Sequence, residues 1–242
     1  MLKKLKLTLK LKLLLLKVIL SKDIKSELRQ INDLFSIFLF DLISIFIFSS
    51  VYNFGTEYQN MPLEIFVIEN WLIIFFTLVY IMSRLFVKEK ESGTIGGILS
   101  SPISANLIIA SKIIFCFILL TFVEIVLFLF SSFISAPSIS NFNVNQLILY
   151  ITLGVLLPTL DLSICGSLVS AFSMYVKNKS FILPILLFPL ILPIITPIIS
   201  INIKILEGGL ITSLYYEIIF FCAHIILMSS IMIMTSEALL FD

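Results

Sequence analysis

The sequence has little charge and few residues of the kinds that build catalytic or metal sites. Only 13% of its 242 residues are charged, and it has three cysteines, one histidine and one tryptophan. Cys116, Cys165 and Cys222 lie far apart within apolar runs, with no CxxC or CxxCH motif. This spacing predicts no disulfide, no metal site and no covalently attached cofactor. No set of nucleophile, base and orienting group stands out, so we predict no catalytic residues.

A nucleotide-binding motif is also missing. Gly96 and Gly97 form the only feature that suggests a phosphate loop, and no Gly-Lys-Ser/Thr sequence follows them. A phosphate loop needs that lysine and hydroxyl, and it follows a buried strand of a soluble domain. The sequence therefore predicts that the chain does not bind nucleotide.

Apolar residues dominate what is present. They make up 60% of the chain, whereas soluble domains are about half apolar and about a quarter charged. The hydrophobic runs predict an all-α integral membrane protein with six transmembrane helices. The six predicted spans cover residues 33–52, 68–86, 107–135, 146–175, 181–201 and 214–238.

The basic residues fall on alternate connections between the spans. Of the 16 lysines and arginines, all except Lys204 lie in residues 1–30, near residues 84–112 or at residues 177–179. The connections near residues 53–67 and 136–145 contain neither residue type. Cytoplasmic loops carry an excess of lysine and arginine. The pattern predicts that both termini and both basic loops are cytoplasmic.

Two regions of different composition are predicted. Residues 1–30 form a basic cytoplasmic segment attracted to anionic lipid, and residues 31–242 form the six-span domain. Within residues 18–31, apolar side chains recur at helical spacing among charged ones, which predicts a helix lying on the membrane surface. These apolar residues are Leu20, Ile24, Leu28 and Ile31.

Four prolines fall within the fifth predicted span. Proline removes a helical hydrogen bond, and neighbouring helices can compensate within a membrane. The run therefore predicts an irregular, kinked transmembrane helix of the kind that lines a moving or opening part of a protein. The prolines are Pro184, Pro189, Pro193 and Pro197.

The loop at residues 87–106 has the pattern of a short cytoplasmic helix. Charges come first, Gly93 permits a turn, Thr94 suits a helix N-cap, and Pro102 ends the helix. Apolar residues then share one face, which favours docking into a groove of a partner, although a plain connecting turn is the alternative. The candidate coupling residues are Glu91, Gly93, Thr94, Ile95, Ile98, Leu99 and Pro102.

Five ionisable side chains fall within predicted spans, where such groups usually mark functional sites. They are Asp41, Glu124, Asp161, Glu217 and His224. Because no lysine or arginine is predicted at a comparable depth, we expect no ion pair among the spans of one chain. Glu124 would then be protonated, be paired across helices or face water, and the acids could instead meet a partner subunit or a second copy of the chain. His224 shares a helix face with Glu217 and is a haem ligand, a proton-sensitive switch or a hydrogen-bonded packing residue.

Two segments of the chain resemble a known family. The first resembles the cytoplasmic signature of ABC exporter permeases and reads Lys88-Glu-Lys-Glu-Ser-Gly-Thr-Ile-Gly-Gly-Ile-Leu-Ser-Ser-Pro102. Together with the second, the pattern resembles the haem exporter protein B family (CcmB) of cytochrome c maturation, and that second segment reads Ile182-Leu-Pro-Ile-Leu-Leu-Phe-Pro-Leu-Ile-Leu-Pro193. The segments Lys22–Arg29 and Glu237–Phe241 are also similar to that family. The resemblance covers roughly residues 18–242. Gly96 departs from it, because the family usually has glutamate there.

This resemblance implies a non-catalytic permease subunit, with ATP bound by a separate ABC ATPase that docks on residues 92–102. It implies a place in the cell's inner membrane, or in the mitochondrial inner membrane if the gene is organellar. A haem-handling membrane subunit and a haem chaperone are the implied partners, with haem as a substrate. The resemblance does not decide between haem export and release of the haem-loaded chaperone.

Other interpretations of the sequence stay open. The chain could serve another ABC exporter, for lipid, polysaccharide or drug, or it could be a non-transporting membrane adaptor for an ATPase. Membrane lipid is an expected partner, a second copy of the chain is an alternative one, and nucleic acid is not expected.

Overall fold

The computed structural model describes residues 2–55, 61–100, 103–135, 137, 143–176 and 179–241. These residues form ten α-helices. The helices are α1 Leu2–Leu28, α2 Ile31–Gly55, α3 Leu63–Met82, α4 Lys88–Glu91, α5 Ile95–Leu99, α6 Ala105–Ser135, α7 Val144–Leu149, α8 Leu157–Ser173, α9 Lys179–Leu206 and α10 Tyr215–Phe241. π-Helical turns join α3 to α4 (Ser83–Val87) and α7 to α8 (Tyr150–Leu156), and a 3₁₀ turn (Ile211–Leu214) precedes α10.

The six predicted spans are confirmed. Helices long and apolar enough to cross a membrane cover Leu34–Tyr52, Leu63–Glu91, Ala105–Ser135, Val144–Ser173, Phe181–Leu206 and Ile211–Leu239. The largest difference is in the second span, which extends beyond the predicted residues 68–86 at both ends. Acidic and basic residues interrupt the hydrophobic run there, but the helix continues through them because they are packed or paired inside the protein.

Large apolar side chains cover the outer surface of the bundle. Phe54 is 98% exposed and Phe133 is 88% exposed, and each long helix has further large apolar side chains that are exposed. A water-soluble protein rarely shows such extended apolar surface. This surface is the part that hydrocarbon chains of the bilayer would cover.

Helix α8 lies at the centre of the bundle and is built from small residues. Its buried positions include Ser163, Ser167 and Gly166. A Cβ atom on Gly166 would come within 2.9 Å of Leu78 and 3.1 Å of Met82 on α3. Small residues allow membrane helices to approach closely, so the composition of α8 accounts for its central place among α3, α6, α9 and α10.

The π-helical turns are satisfied by side chains from neighbouring helices. Ser170 accepts a hydrogen bond from the Phe86 backbone and donates one to the Met82 carbonyl. Pro158 leaves the carbonyl of residue 154 without its helical donor. Asn202 on α9 donates to that Gly154 carbonyl at 3.2 Å, as expected for a proline tolerated inside a membrane bundle.

Helix α9 is α-helical through all four of its prolines. Pro184, Pro189 and Pro193 are exposed, and the opposite face of α9 packs in the core through residues including Leu187, Ile194 and Ile201. These three prolines are therefore on the outside of the bundle and Pro197 is partly buried, whereas we expected all four to line an interior that opens. Within the part of the chain that the structure describes, the π-helical irregularities lie in the second and fourth spans, at Ser83–Val87 and Tyr150–Leu156.

The N-terminal region forms one continuous helix, α1, which packs against α6. Leu20 and Ile24 of the predicted apolar stripe pack against the core of the chain. Leu28 and Ile31 of the same stripe are exposed, and the predicted position on the membrane surface stays a prediction. The buried positions on that turn belong instead to two acids, Asp23 and Glu27.

Candidate coupling loop and intramembrane polar groups

The turn between α4 and α5 forms at Gly93, as predicted, but no described hydrogen bond shows the Thr94 side chain as the predicted helix cap. Gly93 has φ +71°, a conformation that L side chains rarely adopt, and open space surrounds the place where a Cβ atom would stand. The Thr94 hydroxyl donates to the Glu89 carbonyl, and the Thr94 carbonyl accepts from the Gly97 backbone at 3.1 Å. Glu91, at the end of α4, is exposed.

Helix α5 lies partly in the core and partly at the surface. The Ile95 side chain is buried in the chain's own core, so it does not add to a free docking surface. Gly96 and Gly97 are exposed, with open space where a side chain would stand. Pro102 and the side chains of Ile98 and Leu99 lie outside the described residues, so their predicted roles stay predictions.

A buried lysine joins three helices directly beside this loop. The Lys112 ammonium of α6 is 3.1 Å from Asp23 of α1 and 2.9 Å from Glu89 of α4. Lys22 completes the group, at 3.2 Å from Asp23 and 2.5 Å from Glu89. We call Lys22, Asp23, Glu89 and Lys112 the ionic clamp.

The ionic clamp affects the protonation of its outer lysine. Partial burial of Lys22 disfavours its charged form, but the hydrogen bond and charge of Glu89, with those of Asp23, raise its pKa above the ordinary value. Lys22 therefore keeps its charge throughout the neutral range and well above it. Sequence reasoning missed the clamp because its members are distant in the chain.

A second ion pair ties α1 to the π-helical turn after α3. The Arg84 guanidinium is 2.9 Å from Glu27 and donates to Gln30 at 2.9 Å. Lys88 also donates to Gln30. The basic residues that predicted a cytoplasmic loop thus also fix the N-terminal helix against α4.

Two of the predicted intramembrane acids accept hydrogen bonds from threonines on neighbouring helices. Thr77 of α3 donates to Asp41 of α2 at 2.8 Å. Thr159 of α8 donates to Glu124 of α6 at 2.5 Å, and Glu124 is only 2% exposed. Pairing across helices, one of the expected solutions for Glu124, is what the structure shows for both acids.

Asp161 and His224 pair at the centre of the bundle. The His224 Nδ1 atom lies 2.8 and 2.9 Å from the two carboxylate oxygens of Asp161, which is fully buried. Cys165, one turn further along α8, brings its thiol into the same group, with the three ligand atoms within 4.8 Å of one another. A carboxylate, a thiol and an imidazole also form a donor set that transition metals accept. The spacing of these residues in the sequence contains no sign of this convergence.

The expectation that no basic residue would reach the acids is wrong for Glu217. Lys204 near the end of α9 lies 2.5 Å from Glu217 on α10, and Ser200 donates to the same carboxylate at 2.7 Å. The predicted fifth span ends at residue 201, which leaves Lys204 in the following connection. Helix α9 instead continues to Leu206, and its last turn places Lys204 beside α10.

Glu69 is a buried acid that sequence reasoning missed. It is 1% exposed on α3, and within the described part of the chain neither carboxylate oxygen accepts a hydrogen bond. The neighbouring Asn70 accepts a hydrogen bond from Ser131 of α6 at 2.7 Å. Glu69 stands at the edge of the predicted second span, and the extension of α3 to Leu63 brings it inside.

These features define a class of protein: a multi-span membrane protein with a short helix, α5, between its second and third spans and no nucleotide-binding motif. The family model described as CcmB protein matches residues 14–238. The chain therefore belongs to the CcmB family. It is the permease subunit of the cytochrome c maturation ABC exporter, a multi-pass protein of the inner membrane.

This membership places the chain in an ABC transporter complex whose ATPase is a separate protein. Comparisons with curated proteins and with solved structures gave no match.

Proposed function

We propose that the chain receives the movement of its ATPase partner at the α4–α5 loop and passes it to the bundle through the ionic clamp. The observation that carries this proposal is the position of Lys112, which connects the loop helix α4, the N-terminal helix α1 and the third span α6. A force on α4 therefore acts on α6 through buried charge pairs. Such pairs are costly to break, so they move as a unit.

The same proposal places both termini and the clamp in the cytoplasm. The described lysines and arginines near α1, α4 and the start of α6 lie together at one end of the bundle, as the positive-inside rule requires. Six spans return the chain to the side on which it began.

The opposite face is the proposed meeting place with haem and its carriers. We infer that a haem-handling membrane subunit and the haem chaperone contact this chain there. If haem crosses this subunit, changes to the intramembrane acids will harm cytochrome maturation at least as much as changes to the loop. If the chain only couples ATP hydrolysis to release of the loaded chaperone, the loop changes will dominate.

The docking step is tested by co-purification of the ATPase with tagged variants. Gly97→Trp adds a large side chain in open space, and Leu99→Asp puts charge on the apolar face predicted from the sequence. Leu210→Trp is the control, since Leu210 is 72% exposed in the connection between α9 and α10. We expect both loop variants to insert normally and lose the ATPase while the control keeps it. Normal ATPase recovery with both loop variants would overturn the docking surface.

A further inference from the structure

An apolar groove runs down the side of the bundle between the end of α1, α2 and α6. Its volume is about 360 Å³, and its walls are almost wholly aliphatic and aromatic, including Ile37, Leu42 and Phe122. The polar exceptions in its lining are Glu27 at one end and Asp41 further along. The groove lies within the membrane spans, so its open side faces the lipid.

The groove has the depth of one leaflet of a bilayer. Its wall on α2 extends from Leu34 to Ile45. At 1.5 Å per residue, this distance is roughly 16 Å. Half of the hydrocarbon core of a bilayer is about 15 Å. An extended acyl chain of one leaflet would therefore fit along it from the interface to the membrane centre.

A basic pocket of about 530 Å³ adjoins the groove at its α1 end. The two cavities share Glu27 and Phe115 in their walls, so they lie side by side. Six basic side chains and three acidic ones line the pocket: Lys22, Lys25, Arg29, Arg84, Lys88 and Lys112, with Asp23, Glu27 and Glu89. The pocket therefore holds an excess of positive charge.

Two of these basic side chains are not used by the fold. Lys22, Arg84, Lys88 and Lys112 contact acids or Gln30. Among the described residues, Lys25 and Arg29 have no side-chain partner, and both are exposed at the rim of the pocket. They remain available to an anion.

We propose that this composite site binds one anionic phospholipid, with its phosphate in the basic pocket near Lys25 and Arg29 and an acyl chain in the groove. Basic pockets beside transmembrane helices bind anionic headgroups, and each basic residue near the surface adds to the attraction. A free phosphate would use only the pocket, and an apolar partner helix would use only the groove. A single molecule that has both a phosphate and an acyl chain uses the pocket and the groove together.

Because the ionic clamp forms one wall of the pocket, the lipid would also contact the residues that we propose to pass movement from α4 to α6. The lipid site itself does not depend on what the ATPase or haem does, and its test uses neither.

The test is native mass spectrometry of the full chain, with thermal unfolding in the presence of phosphatidylglycerol, phosphatidylcholine or inorganic phosphate. Lys25→Gln/Arg29→Gln removes the free charges, and Lys10→Gln/Lys12→Gln removes equal charge from an exposed part of α1 outside the pocket. Val123→Trp fills the groove, and Leu129→Trp places the same side chain on an exposed position of α6 outside it.

We expect the unmodified chain to retain one phosphatidylglycerol and to be stabilised by it more than by phosphatidylcholine. The Lys25→Gln/Arg29→Gln variant should bind phosphatidylglycerol about tenfold to thirtyfold more weakly. Val123→Trp should lose both lipids, and the two controls should match the unmodified chain.

Three results would overturn the proposal. Equal phosphatidylglycerol retention by all variants would place the lipid elsewhere. Stabilisation by inorganic phosphate alone, to the same extent, would make the pocket an anion site without a lipid. A mass of two chains that is lost on Val123→Trp would assign the groove to a second copy.

Discussion

The buried acids of the bundle differ in the groups that they contact, and these contacts decide how each will respond to substitution. Glu217 faces a lysine, Asp161 a histidine, and Asp41 and Glu124 each face a threonine hydroxyl. An acid beside a cation holds its charge, whereas an acid whose donor is a hydroxyl can change its protonation without losing that partner.

Glu124 offers a test of protonation without a change of shape. Glu124→Gln keeps an acceptor oxygen for the Thr159 hydroxyl, so we expect the free energy of unfolding to change by less than about 1 kcal/mol. We expect the level of c-type cytochromes, measured by haem staining, to fall because the carboxyl can no longer exchange a proton. Glu237→Gln, at an exposed position of α10, is the control. Unchanged cytochrome levels would reduce Glu124 to a packing residue.

Asp161 and His224 should behave as a coupled pair. Asp161→Asn and His224→Gln each weaken a buried hydrogen bond, and we expect each to cost about 1–3 kcal/mol of stability. The double variant should cost less than the sum of the two, with a coupling of about 0.5–3 kcal/mol in a double-mutant cycle of thermal unfolding. Strict additivity would show that the two groups do not depend on each other.

At the scale of single residues, the positions of most buried acids were predictable from the sequence, but the side chains that contact them were not. A charged residue within an apolar run is visible directly, as for Asp41 and Glu124. Which helix faces it depends on packing between segments far apart in the chain, as for Thr77 and Thr159. Glu69 was missed because charge near the predicted end of a span is common and needs no explanation there.

At the scale of helices, three short contacts hold together the end of the bundle that carries the ionic clamp: α1 to α6, α4 to α6, and α1 to the turn after α3. All three use charge pairs formed by residues that also give the chain its predicted orientation. The turn at Gly93 was predictable because the glycine signal is local, whereas these contacts between distant helices were not.

Removing the central cation should open this assembly. Lys112→Met removes the buried cation of the ionic clamp and leaves Asp23 and Glu89 with only the exposed Lys22, so we expect a loss of about 1–3 kcal/mol in unfolding free energy. Lys90→Met removes an exposed lysine from the same loop helix and serves as the control. A Lys112→Met protein as stable as the control would show that the clamp does not stabilise the fold.

The loop turn should depend on the residue at position 93. Gly93→Val forces a β-branched residue to φ +71°, which costs about 1–2 kcal/mol, and should reduce ATPase co-purification. Gly93→Asn is the matched variant, because asparagine tolerates the left-handed region. Equal recovery of the ATPase with both variants would contradict a role for this turn geometry in docking.

At the scale of the whole molecule, the number of spans was predictable from the sequence, because hydropathy and basic residues act over long stretches. The family was suggested instead by the resemblance of the segments Lys88–Pro102 and Ile182–Pro193. The outward placement of the α9 prolines was not predictable from the sequence. Proline disrupts a helix locally, but which side of the helix meets the core depends on Leu187, Ile194 and Ile201, whose spacing the prolines obscure.

The proposed orientation can be measured with reporter fusions. Alkaline phosphatase, which is active only outside the cytoplasm, should be active when fused after residue 209 and inactive when fused after residue 242. The reason is that residue 209 follows the fifth span, whereas the chain end follows the sixth. The reverse activity pattern would invert the topology and move the ionic clamp away from the cytoplasm.

The ionic clamp also sets an order of assembly during synthesis. Asp23 leaves the ribosome long before Lys112, which lies near the start of the third span, and Glu89 comes only at the end of the second. Until then the buried Asp23 of α1 lacks its partner Lys112, and α1 lacks the face of α6 against which it packs. Helix α1 therefore completes its docking only after the third span is made, and a truncated chain that ends before α6 would leave this docking incomplete.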